Sequence, residues 1–279
     1  MEKFILDGIR SDFTSYNKLA SMNKKIANFQ FTNITVELRN WFAANMCAAL
    51  GGILNTVSAF NNISFHADPN IELILRKNCF LTQYGYKNCQ DNNNTTIQYL
   101  KLKPEDKLHF AIYINNELLG KKNMPKMSPL LKSEISKSIC EIFENAVLHS
   151  ETDYIYCCGQ FFPTKNAIEF TIVDMGQGIK QCMEKRFGCK INSDQAIKMA
   201  VSGITTKLGV SGGLGLSLLK RFIQHNHGRL QIVSDDGFYE LGNNETFNLL
   251  DDRFPGTIVN MKFKTDDECA YILSSEATV

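Results

Sequence analysis

The chain has 279 residues, 44% of them hydrophobic and 21% charged, with a formal net charge of +1. That is enough apolar material for one large domain or two of ordinary size. The near-zero charge advertises neither nucleic acid nor anionic lipid. The start is too short and too acidic for a signal peptide, and no apolar run approaches the ~18 residues that span a bilayer.

In chain order, residues 34–38 alternate as a short strand, and residues 41–57 are apolar at helical spacing. Residues 63–65 read as a strand. Residues 70–80 read as a helix with Ile71, Leu73, Ile74 and Leu75 available for its buried side, and 96–102 as one more strand. An asparagine-rich stretch at 88–96 predicts a loop. A basic, proline-containing connector at 120–129 divides the chain into a small α/β unit, residues 1–122, and a second unit, residues 123–279.

After the connector, Ser128 followed by Pro129 is a favourable helix start. Ile135, Ile139, Ile142, Phe143 and Ala146 recur at spacings of three and four and give that helix its core face. Residues 154–158 and 167–173 read as paired strands, 214–225 as a second helix, and 230–233 and 257–263 as strands that close the sheet. The class is α/β (α+β), with helices expected on one face of a mixed sheet. The nine cysteines are scattered without a C-x-x-C spacing, so a zinc site is not expected and reduced thiols in a cytoplasmic protein are.

Three motifs in the second half carry chemistry. Glu141 and Asn145 stand one helical turn apart and share a face beside the apolar stripe. An amide oxygen suits Mg²⁺, which keeps most of its waters and the nucleotide phosphates. A carboxylate one turn earlier can polarise a water or hydroxyl aimed at a γ-phosphate. Asp174 ends a strand and precedes Gly176, Gly178 and Ile179; its carboxylate can accept the adenine amino proton while the glycines let backbone approach the ring. Thr206, Lys207 and the run Ser211, Gly212, Gly213, Leu214, Gly215, Leu216 form a glycine-rich turn entering a helix. Its free N–H groups and dipole attract phosphate, with Lys207 as a mobile charge on the approach.

Each motif alone has a plainer reading: a solvated helix edge, an ordinary strand-to-loop turn, a surface loop with a capping glycine. Together they describe an ATP site. The glycine spacing is neither that of a Walker loop nor that of a dinucleotide fold. His149 reads as a helix-terminal structural residue, and His225 and His227 as helix C-terminal residues favoured by the dipole.

On these residues the stretch 128–264 resembles the GHKL superfamily of gyrase-type topoisomerases, large heat-shock chaperone ATPases, histidine kinases and MutL-like repair proteins. The resemblance implies a Bergerat-type α/β sandwich that binds ATP and Mg²⁺. It implies Asn145 as the metal ligand, Glu141 as the catalytic acid, Asp174 on adenine, Gly213 and Gly215 around the phosphates, and Gly256-Thr257 as the last glycine box. Ser211-Gly212 stands where the family usually has G-[ST]. Residues 205–228 look most like histidine-kinase catalytic domains, whereas Glu141 and the phrase Asn145-Ala-Val-Leu-His149 are similar to anti-sigma-factor serine kinases. No phosphoacceptor histidine on a dimerisation helix and no transducer domain are evident, which argues against a complete histidine kinase and against topoisomerase, MutL and chaperone assignments.

Residues 34–52 more faintly resemble a STAS-like domain, with Ala44 and Asn45 where that family often has a phosphorylated serine. The combined expectation is a regulatory switch. Mg-ATP binds under a lid between Gly178 and Gly212, Glu141 supports slow hydrolysis, and a protein partner or the N-terminal half senses the state. The alternatives are a protein kinase, acting on serine or on a histidine in trans, and a non-catalytic nucleotide sensor. A homodimer is left open; nucleic acid and membrane are not expected as partners.

Overall fold

The computed structural model describes residues 1–203 and 214–277. The chain opens with β1 (Glu2–Ile9), α1 (Phe13–Ile26), β2 (Asn33–Phe42), α2 (Cys47–Val57) and β3 (Asn62–Ala67). The three strands pair in parallel in the order β1-β2-β3, as two successive crossover units require. Leu6, Val36, Leu38 and Phe65 belong to the core that α1 and α2 fill. β1 and α1 were not among the expected elements. α1 begins at Asp12, whose Oδ1 accepts the Ser15 N–H at 2.8 Å, and it buries Tyr16, Leu19, Ala20, Met22 and Ile26.

The helix expected over 41–57 is shorter. Trp41 and Phe42 finish β2, a 3₁₀ turn occupies Ala44–Met46, and α2 starts at Cys47. The delay has a cause, since the Ala44 N–H donates to Gln160 Oε1 at 2.8 Å and Asn45 is wholly buried with its amide donating to Ser11, Thr171 and Asn260. α3 (Pro69–Lys77) follows with proline in its first turn.

The rest of the chain comprises β4 (Thr96–Leu102), α4 (Lys107–Tyr113), β5 (Lys126–Met127), α5 (Pro129–His149), β6 (Ile155–Phe162) and β7 (Ala167–Asp174). Then come α6 (Ile179–Phe187), α7 (Ser193–Val201), α8 (Leu214–His225), β8 (Arg229–Leu241), β9 (Glu245–Lys264) and β10 (Ala270–Tyr271). Five strands pair in the order β4-β6-β7-β9-β8, and all four pairings are antiparallel. Among the described residues parallel pairing is confined to the three-stranded sheet and to the short β5–β10 pair. The mixture of strand directions expected of one sheet is thus divided among separate sheets. β4 and α4 lie before the connector at 120–129, yet β4 pairs with β6, and Phe110 of α4 stacks on Phe143 of α5.

The helices that follow the connector pack on one face of the five-stranded sheet, and α1 and α2 of the first half cover the other. Ile168, Phe170, Ile172, Ile232 and Val259 pack under α5, α7 and α8. Tyr156, Cys158, Val173, Val233 and Ile258 pack with α1 and α2. The alternation along each strand decides which residue serves which face. β8 and β9 run well beyond the expected 230–233 and 257–263. A register shift at Ser234–Gly237 bends the hairpin, and Pro255 and Gly256 are left out of the ladder there. Among the described residues no helix is long and apolar enough to cross a membrane.

Candidate functional site

α5 is set by its cap. Ser128 Oγ accepts the Leu131 N–H at 3.1 Å, Pro129 fills the first position, and Ile135, Ile139, Ile142, Phe143 and Ala146 face the sheet. Glu141 and Asn145 then stand along one edge of the helix, half-buried and exposed respectively. Below them a cavity of about 170 Å³ opens between α5 and the sheet. Its lining includes Glu141, Asn145, Asp174, Ile179, Leu216 and Thr257, six residues that the motifs singled out.

The apolar lining comes from Ile172, Ile232 and Val259, with Ala146, Met183 and Ala200 around it. These were not predicted, although a signal existed. Ile172 is two residues from Asp174 and Val259 two from Thr257, so a period of two puts both on the cavity face, and Ile232 is the cross-strand partner of Val259. Gln177, His149, Ser150 and Cys182 complete the wall. His149 is the last residue of α5, and its carbonyl accepts from Cys182 Sγ at 3.2 Å.

Asp174 is 5% exposed. Burial pushes its carboxyl up to about 7, against the opposing pull of hydrogen bonds from the Gly176 N–H, the Ser150 hydroxyl and the Thr257 N–H. The Gly176 N–H lies 3.1 Å from Oδ1. Burial also raises the Cys182 thiol, and the Asp174 charge adds to that.

The glycines have a structural cause close at hand. A Cβ on Gly176 would fall 1.8 Å from the Ser150 carbonyl oxygen, which also accepts the Gln177 N–H at 2.5 Å. The loop after β7 is therefore pressed against the C-terminal end of α5. Gly256 has φ +75°, and a Cβ there would meet the Asp174 carbonyl oxygen at 2.2 Å and Oδ1 at 2.6 Å. Gly178 precedes α6, and Ser234 Oγ joins three segments near it: it accepts the Ile179 N–H at 2.8 Å, donates to the Gly256 carbonyl at 3.0 Å and lies 3.2 Å from Thr257 Oγ1.

Thr206, Lys207, Ser211, Gly212 and Gly213 lie outside the described residues; Leu214 and Gly215 open α8. Among the described residues no three His, Cys, Asp or Glu side chains are grouped to hold a metal. The oxygen donors at the rim, Glu141 and Asn145, suit a hard cation that brings most of its own ligands. No protein-family model matches the chain, and no curated protein matches it.

Proposed function

We propose that the chain is an ATP-binding regulatory protein of GHKL type that hydrolyses its nucleotide slowly. The observation that supports this reading is convergence: Glu141, Asn145, Asp174, Ile179, Leu216 and Thr257, spread over more than a hundred positions, line one cavity. At about 170 Å³ the enclosed space is below the ~300 Å³ typical of a whole drug-sized ligand. It suits a purine ring between Ile172, Val259 and Met183, with the amino edge on Asp174. The phosphates then extend past the rim, toward exposed Asn145.

Asn145 would hold Mg²⁺ together with phosphate oxygens and water, and the bound metal would neutralise charge on the phosphates. Glu141, one turn away, orients and deprotonates the attacking water. The N-terminal half, read as a STAS-like layer, lies on the back of the same sheet and would sense the state of the site or present it to a protein partner.

Calorimetric titration of the full chain with Mg²⁺ and a non-hydrolysable ATP analogue tests the binding, and γ-labelled ATP tests turnover. Binding, with released phosphate that Glu141→Ala removes, is the expected result. Absence of heat with any adenine nucleotide overturns the reading. Label transferred to an added protein would replace hydrolysis by kinase activity.

A further inference from the structure

A second cavity, of about 150 Å³, lies on the opposite side of the five-stranded sheet, where the sheet meets the N-terminal half. Part of its lining is a single row across three strands, since Glu169 of β7 is the cross-strand partner of Lys262 of β9, which is in turn the partner of Arg229 of β8. Arg10 and Ala43, just past the carboxyl ends of β1 and β2, also line it, with Lys165 from the β6–β7 turn. The carboxyl ends of parallel strands are where α/β folds form ligand crevices. Arg10 and Lys165 are exposed, so the cavity communicates with solvent.

Its charge and its unmet hydrogen bonds point to one kind of ligand. Four cationic side chains, Arg10, Lys165, Arg229 and Lys262, line it with two acidic ones, Asp12 and Glu169. Asp12 is engaged as the cap of α1. Glu169 is only 6% exposed, and its Oε2 is buried without a hydrogen-bond partner. Arg229 Nε is also buried without one, although the Arg229 Nη2 donates to the Ser11 carbonyl at 2.8 Å and its Nη1 lies 3.6 Å from Glu240 Oε2, which stands outside the lining. Burial lowers the Lys262 ammonium; Glu169 opposes this, and the charges of Arg229, Lys264 and Lys165 reinforce it. An orphaned acceptor and an orphaned donor on either side of Lys262, with an excess of two positive charges among the lining residues, ask for a small dianion that spans them and also carries a proton to donate.

We propose that this cavity binds inorganic phosphate as hydrogenphosphate, its oxygens taken by Arg10, Arg229 and Lys262 and its P–OH donated to Glu169 Oε2. Sulfate has the same size and charge but no proton near neutrality, so it would set one acceptor against another at Glu169.

The test is calorimetric titration of the full chain with sodium phosphate and with sodium sulfate, just above neutral pH and at constant ionic strength. Each titration is run with and without a non-hydrolysable ATP analogue. Phosphate should bind at least about tenfold more tightly than sulfate. Lys262→Met should weaken phosphate about tenfold or more. Glu169→Gln should gain affinity for sulfate, because an amide can donate to it; misfolding cannot mimic a gain. The ATP analogue should leave phosphate affinity unchanged. Failure of the wild-type chain to bind phosphate, equal affinity for sulfate, or displacement of phosphate by the analogue overturns the proposal.

Discussion

Alternate residues of the same strands build two different interiors. On the α5 side, Ile172, Asp174, Thr257 and Val259 surround an open cavity, and one buried carboxyl is held near 7. On the α1 and α2 side, Thr171, Gln231 and Asn260 are fully buried and tied to the N-terminal half. Asn45 Nδ2 reaches Ser11 Oγ, Thr171 Oγ1 and Asn260 Oδ1 at 2.8, 3.0 and 3.1 Å, and Tyr16 donates to Gln231 Oε1 at 3.1 Å. A strand can thus present a residue that lines a cavity and, one residue away, a group fully committed to holding two halves together.

The largest effect that would test this contrast is on pH dependence. Asp174 ionises at about 7 when folded, against 3.8 ordinarily. Between those values the folded chain keeps a proton that the unfolded chain has lost, so stability falls as pH rises from about 4 to about 7. The fall is on the order of 4 kcal/mol. Urea unfolding across that range should show the slope in the wild type and a flatter one in Asp174→Asn; equal slopes would mean that the carboxyl is not held in the protonated form.

Next is the same variant's effect on the nucleotide. Asp174→Asn should lower ATP affinity more than about a hundredfold, roughly 3 kcal/mol. Wild-type affinity should fall as pH drops below about 7, because the ionised carboxylate accepts the adenine amino proton more strongly than the neutral carboxyl does. Unchanged affinity in the variant would remove the base-edge role.

On the closed side, Asn45→Ala should cost about 2 kcal/mol in denaturant unfolding, since it strips a shared donor from buried acceptors. If the two faces act independently, ATP affinity stays the same; a shift of fivefold or more would show that they are coupled through the strands. The smallest expected effect is that of Ser128→Ala, about 1 kcal/mol from loss of the α5 cap, read as a drop in Tm with nucleotide affinity unchanged.

Much of this arrangement was legible in the sequence where period and caps speak together. Ser128-Pro129, the apolar stripe of α5 and the span 214–225 of α8 all match the structure. The grouping of Glu141, Asn145, Asp174 and Thr257 could be anticipated from motif order: Glu141 and Asn145 share a helix edge, Asp174 ends β7, and Thr257 is its cross-strand partner on β9. Elements whose buried positions are polar were hidden. α1 buries Ser15 and Tyr16 among its core positions, and Asn45 stops α2 from starting earlier through contacts made with β7 and β9. The outer parts of β8 and β9 carry Asp235, Asp236, Gly237 and Pro255, which read as turn residues until the bulge accommodates them. The second cavity was invisible for the same reason: Glu169, Lys262 and Arg229 become neighbours only through strand register.

The link between α1 and the bent β8–β9 hairpin bears on how the chain acquires its shape. Tyr16 bonds Gln231 across 215 positions, Lys24 meets Asp252 across 228, and Phe13 rests edge-on against Phe238. During synthesis α1 emerges more than two hundred residues before these neighbours exist. Contacts so far apart along the chain make for slow, late consolidation, with apolar surface on the nascent protein uncovered in the interval.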